Sequence, residues 1–206
     1  MKNHSKRGFT LIEILVVVAV IGLLASILVP VAGAAMKSVK RTTMKSKYTS
    51  WITAIENYKQ QYQCYPILEK GGSVQDDMHY DLGSGGLSLA FVKSLSGRNP
   101  DTGDTLSTDD RKSFNRRAIG FYDFSNEDFT QEDGSIELGT LCDSFGNRHI
   151  HVVMDFDGNK RVIIPQQYMP DDATDAEQDE KGLLRSVIIF TSQKDGDDYE
   201  DVYSWR

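Results

Sequence analysis

The stretch KRGFTLIEILVVVAVIGLLASILV, residues 6–29, decides the architecture of this chain. From Phe9 to Val29 it holds 21 residues with a single ionisable side chain, Glu13. At 1.5 Å per residue, a helix of that length is about 31 Å long, which matches the hydrocarbon core of a bilayer. The sequence therefore predicts a transmembrane helix over residues 9–29, preceded by a short basic segment.

A carboxylate inside such a helix needs a physical reason. Placing an acidic side chain in hydrocarbon costs on the order of 2.5–3.5 kcal/mol, so an intramembrane acid by default indicates function. Cleavage between Gly8 and Phe9 would leave an α-amine four residues before Glu13, on the same helix face. Glu13 could then pair with that amine, or with the amine of a neighbouring chain, and would oppose the dipole at the new helix start. An uncut helix would offer neither benefit.

The stretch KRGFTLIEILVVVAVIGLL resembles the N-terminus of type IV pilins and of the pseudopilins of type II secretion. An ordinary secretory signal with residues 32–34 as its cleavage site is the alternative, but the apolar run is longer than the usual roughly 7–15 residues and contains an acid. The resemblance implies that a prepilin peptidase cuts after Gly8 and that Phe9 is then N-methylated. It also implies that Glu13 serves methylation and subunit recruitment, and that residues 1–8 are a leader peptide.

Beyond the membrane the helix is predicted to continue to residue 63. Aromatic and aliphatic side chains recur at helical spacing: Tyr48, Trp51, Ile52, Ile55, Tyr58 and Tyr62. This stripe is predicted to pack on the globular domain, and Pro66 disfavours helix at the residue before it. The resemblance implies a type IV pilin-like α+β fold, in which the helix over residues 9–63 packs on a small antiparallel sheet of a head formed by residues 64–206.

The head is predicted to contain one short helix, Leu87 to Leu95. Strands are predicted at residues 118–124, 149–154, 160–164, 186–191 and 202–205. Residues 155–158, Asp-Phe-Asp-Gly, are predicted to be the hairpin turn between the second and third strands, although their acids could also attract calcium. His149 and His151 share a strand face that is predicted to be solvated. The acidic segment 170–181 has no periodicity and is predicted to be a solvated, mobile loop.

Charge is divided unevenly along the chain. Residues 1–63 hold nine Lys/Arg and two Asp/Glu, a net charge of +7, whereas residues 64–206 hold fourteen and twenty-eight, a net charge of −14. A basic stem and an acidic head suit contacts between the stem of one copy and the head of another. The alternative is that the lysines meet lipid headgroups and the acids keep the head soluble. Nothing in the composition indicates nucleic-acid binding by the head.

The segment from Thr191 to Trp205 resembles the calcium-binding C-terminal loop of major pseudopilins. Calcium takes about 6–8 oxygen ligands from carboxylates, carbonyls and water. The resemblance implies Asp195 and Asp201 as carboxylate ligands. Further oxygens would come from Ser192, from Asp198 or Asp197, and from the carbonyls of Val202 and Phe190. An acidic surface turn without metal is the alternative, because the loop is shorter than is usual for the family.

Two further features concern chemistry. Cys64 and Cys142 could form a disulfide in an oxidising compartment, although two cysteines far apart in sequence are a weak signal. The histidines make no metal spacing with acids, and no nucleophile elbow, P-loop or zinc motif occurs in the sequence. We therefore expect a protein that is not an enzyme.

The resemblance implies a structural subunit of a type II secretion pseudopilus, which helps to export folded proteins across the outer membrane. It would sit in the inner membrane with a cytoplasmic N-terminus and a periplasmic head. Its partners would be the prepilin peptidase, further copies, other pseudopilins and the assembly platform. The alternatives are a true type IV pilin acting in adhesion, motility or DNA uptake, a minor pseudopilin, and a membrane-tethered binding protein. The last sixty-four residues lack cysteine, which disfavours the disulfide-closed loop of a true pilin.

Overall fold

A computed structural model of the protein describes residues 10–69, 77–196 and 200–206. The backbone contacts divide the chain into two compact units, one ending at Lys40 and the other comprising Arg41–Arg206. The predicted cleavage site at Gly8 and Phe9 and the predicted ligand Asp198 lie outside the described residues.

The long helix α1 runs from Leu11 to Tyr62 and confirms the predicted helix. It contains a segment long and apolar enough to cross a membrane, judged by length and composition. The helix ends where the sequence predicts, because Gln63 adopts a left-handed φ of 61° and Pro66 follows.

The head contains a four-stranded antiparallel sheet in the order β1-β2-β3-β4. Its strands are Met78–Asp81 (β1), His151–Met154 (β2), Val187–Thr191 (β3) and Val202–Tyr203 (β4). Two short helices, Leu87–Ser96 (α2) and Thr108–Ser113 (α3), lie between β1 and β2 in the chain. A long helix with a small antiparallel sheet is the predicted α+β arrangement, so the fold class is confirmed. The predicted short helix and the last predicted strands are confirmed as α2, β3 and β4, with small differences at their ends.

The predicted strand at 160–164 is wrong. The carboxylate of Asp155 accepts hydrogen bonds from the backbone amides of Gly158 (2.7 Å) and Lys160 (2.8 Å) and closes a turn. The φ of 62° at Lys160 then takes the chain out of the sheet, where Val162 forms only an isolated bridge with Leu183. The partners of β2 are therefore β1 and β3, and no hairpin forms at this turn.

The predicted strand at 118–124 is also absent, because this segment wraps around the end of α2. The backbone amides of Phe121 and Tyr122 both donate to the carbonyl of Leu95, so they form no ladder. At Gly97, which caps α2 with φ 67°, a Cβ would lie 2.6 Å from the carbonyl carbon of Ala118. Glycine is therefore required for this close approach.

The sheet is buried on both faces. One face packs against α1, with Val152 and Ile189 in the same cluster as Trp51. The other face carries Val153 and Phe190 in a second cluster. The predicted packing stripe of α1 is confirmed, because Tyr48, Trp51, Ile55 and Tyr58 are all buried in the first cluster.

Candidate assembly and metal-binding sites

Glu13 lies in the first turn of α1 and forms a reciprocal cap with Thr10. The backbone amide and hydroxyl of Thr10 donate to Oε2 of Glu13 at 2.7 and 2.8 Å, and the amide of Glu13 donates back to the Thr10 hydroxyl at 3.3 Å. This pattern is a capping box, which satisfies amides that a helix start otherwise leaves unpaired. Glu13 therefore has a local role at this helix start, and its pairing with an amine at Phe9 stays a prediction.

The capping geometry also fixes where the carboxylate points. Oε2 of Glu13 is held at the amide of Thr10, one residue from Phe9. The Glu13 carboxylate is therefore oriented toward the N-terminal end of α1.

The first unit carries an uninterrupted apolar surface. Its large hydrophobic side chains from Leu11 to Val39 are each more than half exposed. Water disfavours so much contiguous apolar area, which in soluble proteins marks an interaction surface.

The C-terminal loop is closed by Asp201. Its Oδ1 accepts hydrogen bonds from the amide of Gln193 (2.9 Å) and from the hydroxyl of Ser192 (3.2 Å). The Ser192 hydroxyl also accepts from the amide of Lys194 (3.2 Å), at the start of the short 3-10 helix Gln193–Asp195. Two of the predicted ligands, Ser192 and Asp201, are thus brought together by the loop itself.

Asp195 points to the sheet and binds a buried histidine. Its Oδ2 lies 2.9 Å from Nε2 of His151, whose Nδ1 lies 3.0 Å from Nε2 of His79. His151 is fully buried against the rings of Tyr168 and Phe190, so the prediction of a solvated face is wrong at this residue. Burial, and secondarily the neighbouring His151, lower the pKa of His79 to about 4. His79 is therefore neutral at neutral pH.

The loop fits calcium in the type of its ligands. Two carboxylates and a hydroxyl lie within ten residues of sequence, of which the hydroxyl of Ser192 and the carboxylate of Asp201 are in contact, and calcium prefers oxygen ligands. The hydrogen bonds described above engage Oδ2 of Asp195 and Oδ1 of Asp201. Because His151 binds one oxygen of Asp195, it competes with an ion for that oxygen.

A second group of acids lies at the turn after β2. Carboxylate oxygens of Asp77, Asp155 and Asp157 lie within 4.8 Å of one another. Asp155 already binds two backbone amides of its turn, and Oδ2 of Asp77 accepts from the amide of Ile163 at 3.1 Å. These bonds give Asp155 and Asp77 a structural role at this turn, although the predicted hairpin does not form. The sequence pattern could not reveal Asp77, which comes from a distant segment.

The disulfide considered for Cys64 and Cys142 is not formed, because both are free thiols. Cys64 lies beside Tyr62 at the end of α1, whereas Cys142 lies in electrostatic range of Tyr48. These tyrosines are fourteen residues apart, about 21 Å along a helix. A disulfide requires Cα atoms within about 7 Å.

Burial raises the pKa of the Cys142 thiol to about 11, so this thiol stays protonated.

Glu177 is a buried acid that the sequence analysis missed. It accepts hydrogen bonds from the side chains of Trp205 (2.6 Å) and Arg206 (2.6 and 2.7 Å) and from the amide of Thr174 (2.7 Å). Arg206 contributes most to holding the pKa of Glu177 well below its usual range. The acidic segment 170–181 is therefore fastened to the end of the chain, contrary to the prediction of a wholly solvated loop.

Comparison with known proteins supports the interpretation of the N-terminus as a pilin-like methylation motif. Residues 3–29 match the family model described as the prokaryotic N-terminal methylation motif. The chain is 37% identical to the type II secretion system core protein G of Klebsiella michiganensis over 71 residues, which are 34% of this chain and 50% of that protein. The corresponding protein of Escherichia coli is 41% identical over 73 residues, 34% of this chain and 48% of its own length.

The predicted resemblance to pilin-like proteins, and to the major pseudopilin of type II secretion, is confirmed by these similarities. The match spans about half the length of these relatives. No solved structure matches the chain significantly.

Proposed function

We propose that this chain is a structural, non-enzymatic subunit of a type II secretion pseudopilus. The observation that carries the proposal is the position of Glu13, which is held in the first turn of an exposed apolar helix within a methylation motif. The similarity to core protein G supports the same conclusion. Packing of such helices against one another would cover the apolar surface of the first unit.

Processing would precede assembly. A prepilin peptidase would cut after Gly8 and methylate the amine of Phe9, with the helix anchored in the inner membrane. The N-terminus would face the cytoplasm and the head the periplasm. Assembly would then involve further copies, other pseudopilins and the platform in the inner membrane. The methylation motif over residues 3–29 supports these steps.

Glu13 would set the axial register of the filament. The cap with Thr10 orients the carboxylate toward the helix start before cleavage. A buried carboxylate in hydrocarbon is favourable only when it is paired, so a subunit that enters the filament would place its amine against Glu13 of a neighbour. Any other register would leave Glu13 or the amine without a partner in an apolar surrounding.

Calcium would fasten the C-terminal loop of the head. Ser192, Asp195, Asp198, Asp201 and the carbonyl of Val202 are the proposed ligands. The oxygen atoms that Ser192 and Asp201 bring together support this site. A bound ion would supply positive charge that holds the loop carboxylates together.

The proposal is tested by Glu13→Ala in the full-length chain. We expect cleavage after Gly8 to continue and filaments to be lost, because the register pair is removed. Mass spectrometry of the mature N-terminus and electron microscopy of filaments measure the two effects.

Thr10→Ala is the matched control, since it removes the capping hydroxyl and keeps the carboxylate. We expect filaments from this variant at close to the wild-type level. Filaments of normal number and length from Glu13→Ala would contradict the proposed role of Glu13.

A further inference from the structure

A basic patch lies beside the end of α1 on an otherwise acidic head. It consists of four exposed cations: Arg111, Lys112, Arg116 and Arg117. Of these four cations, only Lys112 pairs with an acid among the described residues: its Nζ lies 3.5 Å from Asp109, and both side chains are exposed. The three arginines are not paired with any acid in the described part of the chain. Such a patch is unexpected in a segment whose net charge is −14.

The patch borders a groove that is already present in the single chain. The groove has a volume of about 290 Å³ and is lined by Tyr62, Cys64 and Ile67 together with Arg111, Lys112 and Arg116. The hydroxyl of Tyr62 donates to Asn115 (2.6 Å) and accepts from the amide of Arg117 (3.1 Å). These bonds tie the basic segment to α1, so the cations need little further ordering before a partner binds.

A surface of opposite charge, the acidic ridge, lies in the segment 170–181. It consists of Asp175, Asp179 and Glu180, which are exposed and have no cationic partner among the described residues. Two other acids of the segment, Asp171 and Asp172, already pair with Lys194 and Arg206. Because Glu177 is clamped by the last two residues of the chain, the ridge has a defined position.

The basic patch and the acidic ridge lie on opposite faces of the sheet. The patch is bound to α1, which packs on the face that carries Val152 and Ile189. The ridge is bound through Glu177 to Trp205, which packs against Phe190 on the other face. The anchor of the ridge and the anchor of the patch are thus on different faces of the sheet.

We propose that the acidic ridge of one copy docks in the basic groove of the next copy. Two different surfaces that join in this way form a head-to-tail contact, which produces an open helical filament when the rotation between copies does not close into a ring. The inference rests on the proposed function as a filament subunit and adds the head surfaces through which neighbouring subunits recognise each other. Complementary charge provides orientation and specificity, whereas the apolar helices provide most of the buried area.

Charge exchange in the full-length chain tests the contact. Reversal of the patch (Arg116→Glu with Arg117→Glu) or of the ridge (Asp179→Lys with Glu180→Lys) places like charges across the interface. We expect each pair to reduce filament number by about tenfold or more, because such juxtaposition is strongly unfavourable. We expect all four changes together to restore filaments to near the wild-type number. The single change Arg185→Glu, at an exposed arginine outside the patch, is the matched control and should have no effect.

The outcomes separate the two proposals. A wild-type chain that forms no filaments would contradict the proposed function. Wild-type filaments that are insensitive to both reversals, or a fourfold variant without rescue, would overturn the docking contact alone.

Disulfide trapping provides a second readout that uses the native thiol Cys64 in the groove. Glu180→Cys is expected to give covalent dimers and longer multimers in assembled filaments, and Cys64→Ser should remove them. Cys142 is buried and should not react. Leu184→Cys, at an exposed position outside the ridge, should give no multimers. Equal trapping from Leu184→Cys and Glu180→Cys would contradict the contact.

Discussion

Single buried polar residues fix the parts of the head that lack regular structure. His151 joins β2 to Asp195 in the C-terminal loop, and Glu177 joins the acidic segment to Arg206. A buried polar group is costly unless it is hydrogen-bonded, so each of these residues holds its partner in one position. The loops of the head are therefore positioned by a few specific pairs.

His79 makes the stability of the head depend on pH. Its pKa of about 4 in the folded head lies below the ordinary 6.5, so between these values the unfolded chain binds more protons. Stability therefore falls as the pH drops from 6.5 toward 4. Groups that influence this histidine are His151, Asp81 and Asp195.

We expect His79→Phe to reduce this loss of stability on acidification, since a phenylalanine does not titrate and His79 already stacks on Phe190. Urea unfolding of the wild type and the variant at pH 7, 6, 5 and 4 measures the effect. An unchanged difference in free energy of unfolding between pH 7 and pH 4 would contradict the assignment.

The C-terminal loop is the element in which a predicted site and an observed hydrogen-bond network compete. Asp201 closes the loop in the structure, and Asp195 is shared with His151. Calcium bound to the loop would stabilise the head by mass action, by about 2.7 kcal/mol at a hundredfold excess over the Kd. Such a gain corresponds to a rise in Tm of roughly 5–10 °C for a unit of this size.

We expect this rise for residues 41–206 on addition of calcium, and we expect Asp195→Ala and Asp201→Ala to lose it. Asp157→Ala is the control, because it changes the other acidic group and should keep the rise. A rise that only Asp157→Ala abolishes would move the ion to the turn after β2. The absence of any rise would contradict calcium binding.

The whole molecule combines a first unit whose apolar side chains are exposed with a second unit that has a buried hydrophobic core. The first unit exposes apolar side chains on all sides of its helix. The second unit, which comprises the head and the part of α1 from Arg41 onward, buries large side chains on both faces of its sheet. Trp51 is central to the head core and contacts the rings of Phe91, Tyr122 and Phe124. Tyr122 and Phe124 belong to the segment that was predicted as a strand, and they instead pack their rings on Trp51 of α1.

We expect Trp51→Ala to reduce the free energy of unfolding of the head by about 3–5 kcal/mol, because it removes a fully buried aromatic side chain. Thr53→Ala, on the exposed face of the same helix, should change it by less than about 0.5 kcal/mol. Urea unfolding of residues 41–206 measures both. A loss below about 1 kcal/mol for Trp51→Ala would contradict the packing described here.

The sequence by itself determined the features that depend on neighbouring residues. The apolar run with Glu13, the stripe on α1, and helix α2 follow from local periodicity and composition, and the structure confirms them. The resemblance of the C-terminal loop to a calcium-binding loop implied its oxygen ligands, and this site stays a prediction.

Only the tertiary structure decided which distant segments pair. Strand β1, the clamp on Glu177, and the bond between His151 and Asp195 each join residues far apart in the chain. Such pairings depend on the burial and register of the whole sheet, which no local pattern specifies. The turn at Asp155 shows a similar limit, because two backbone amides donate there to the Asp155 carboxylate and direct the chain out of a sheet that its alternating pattern favours.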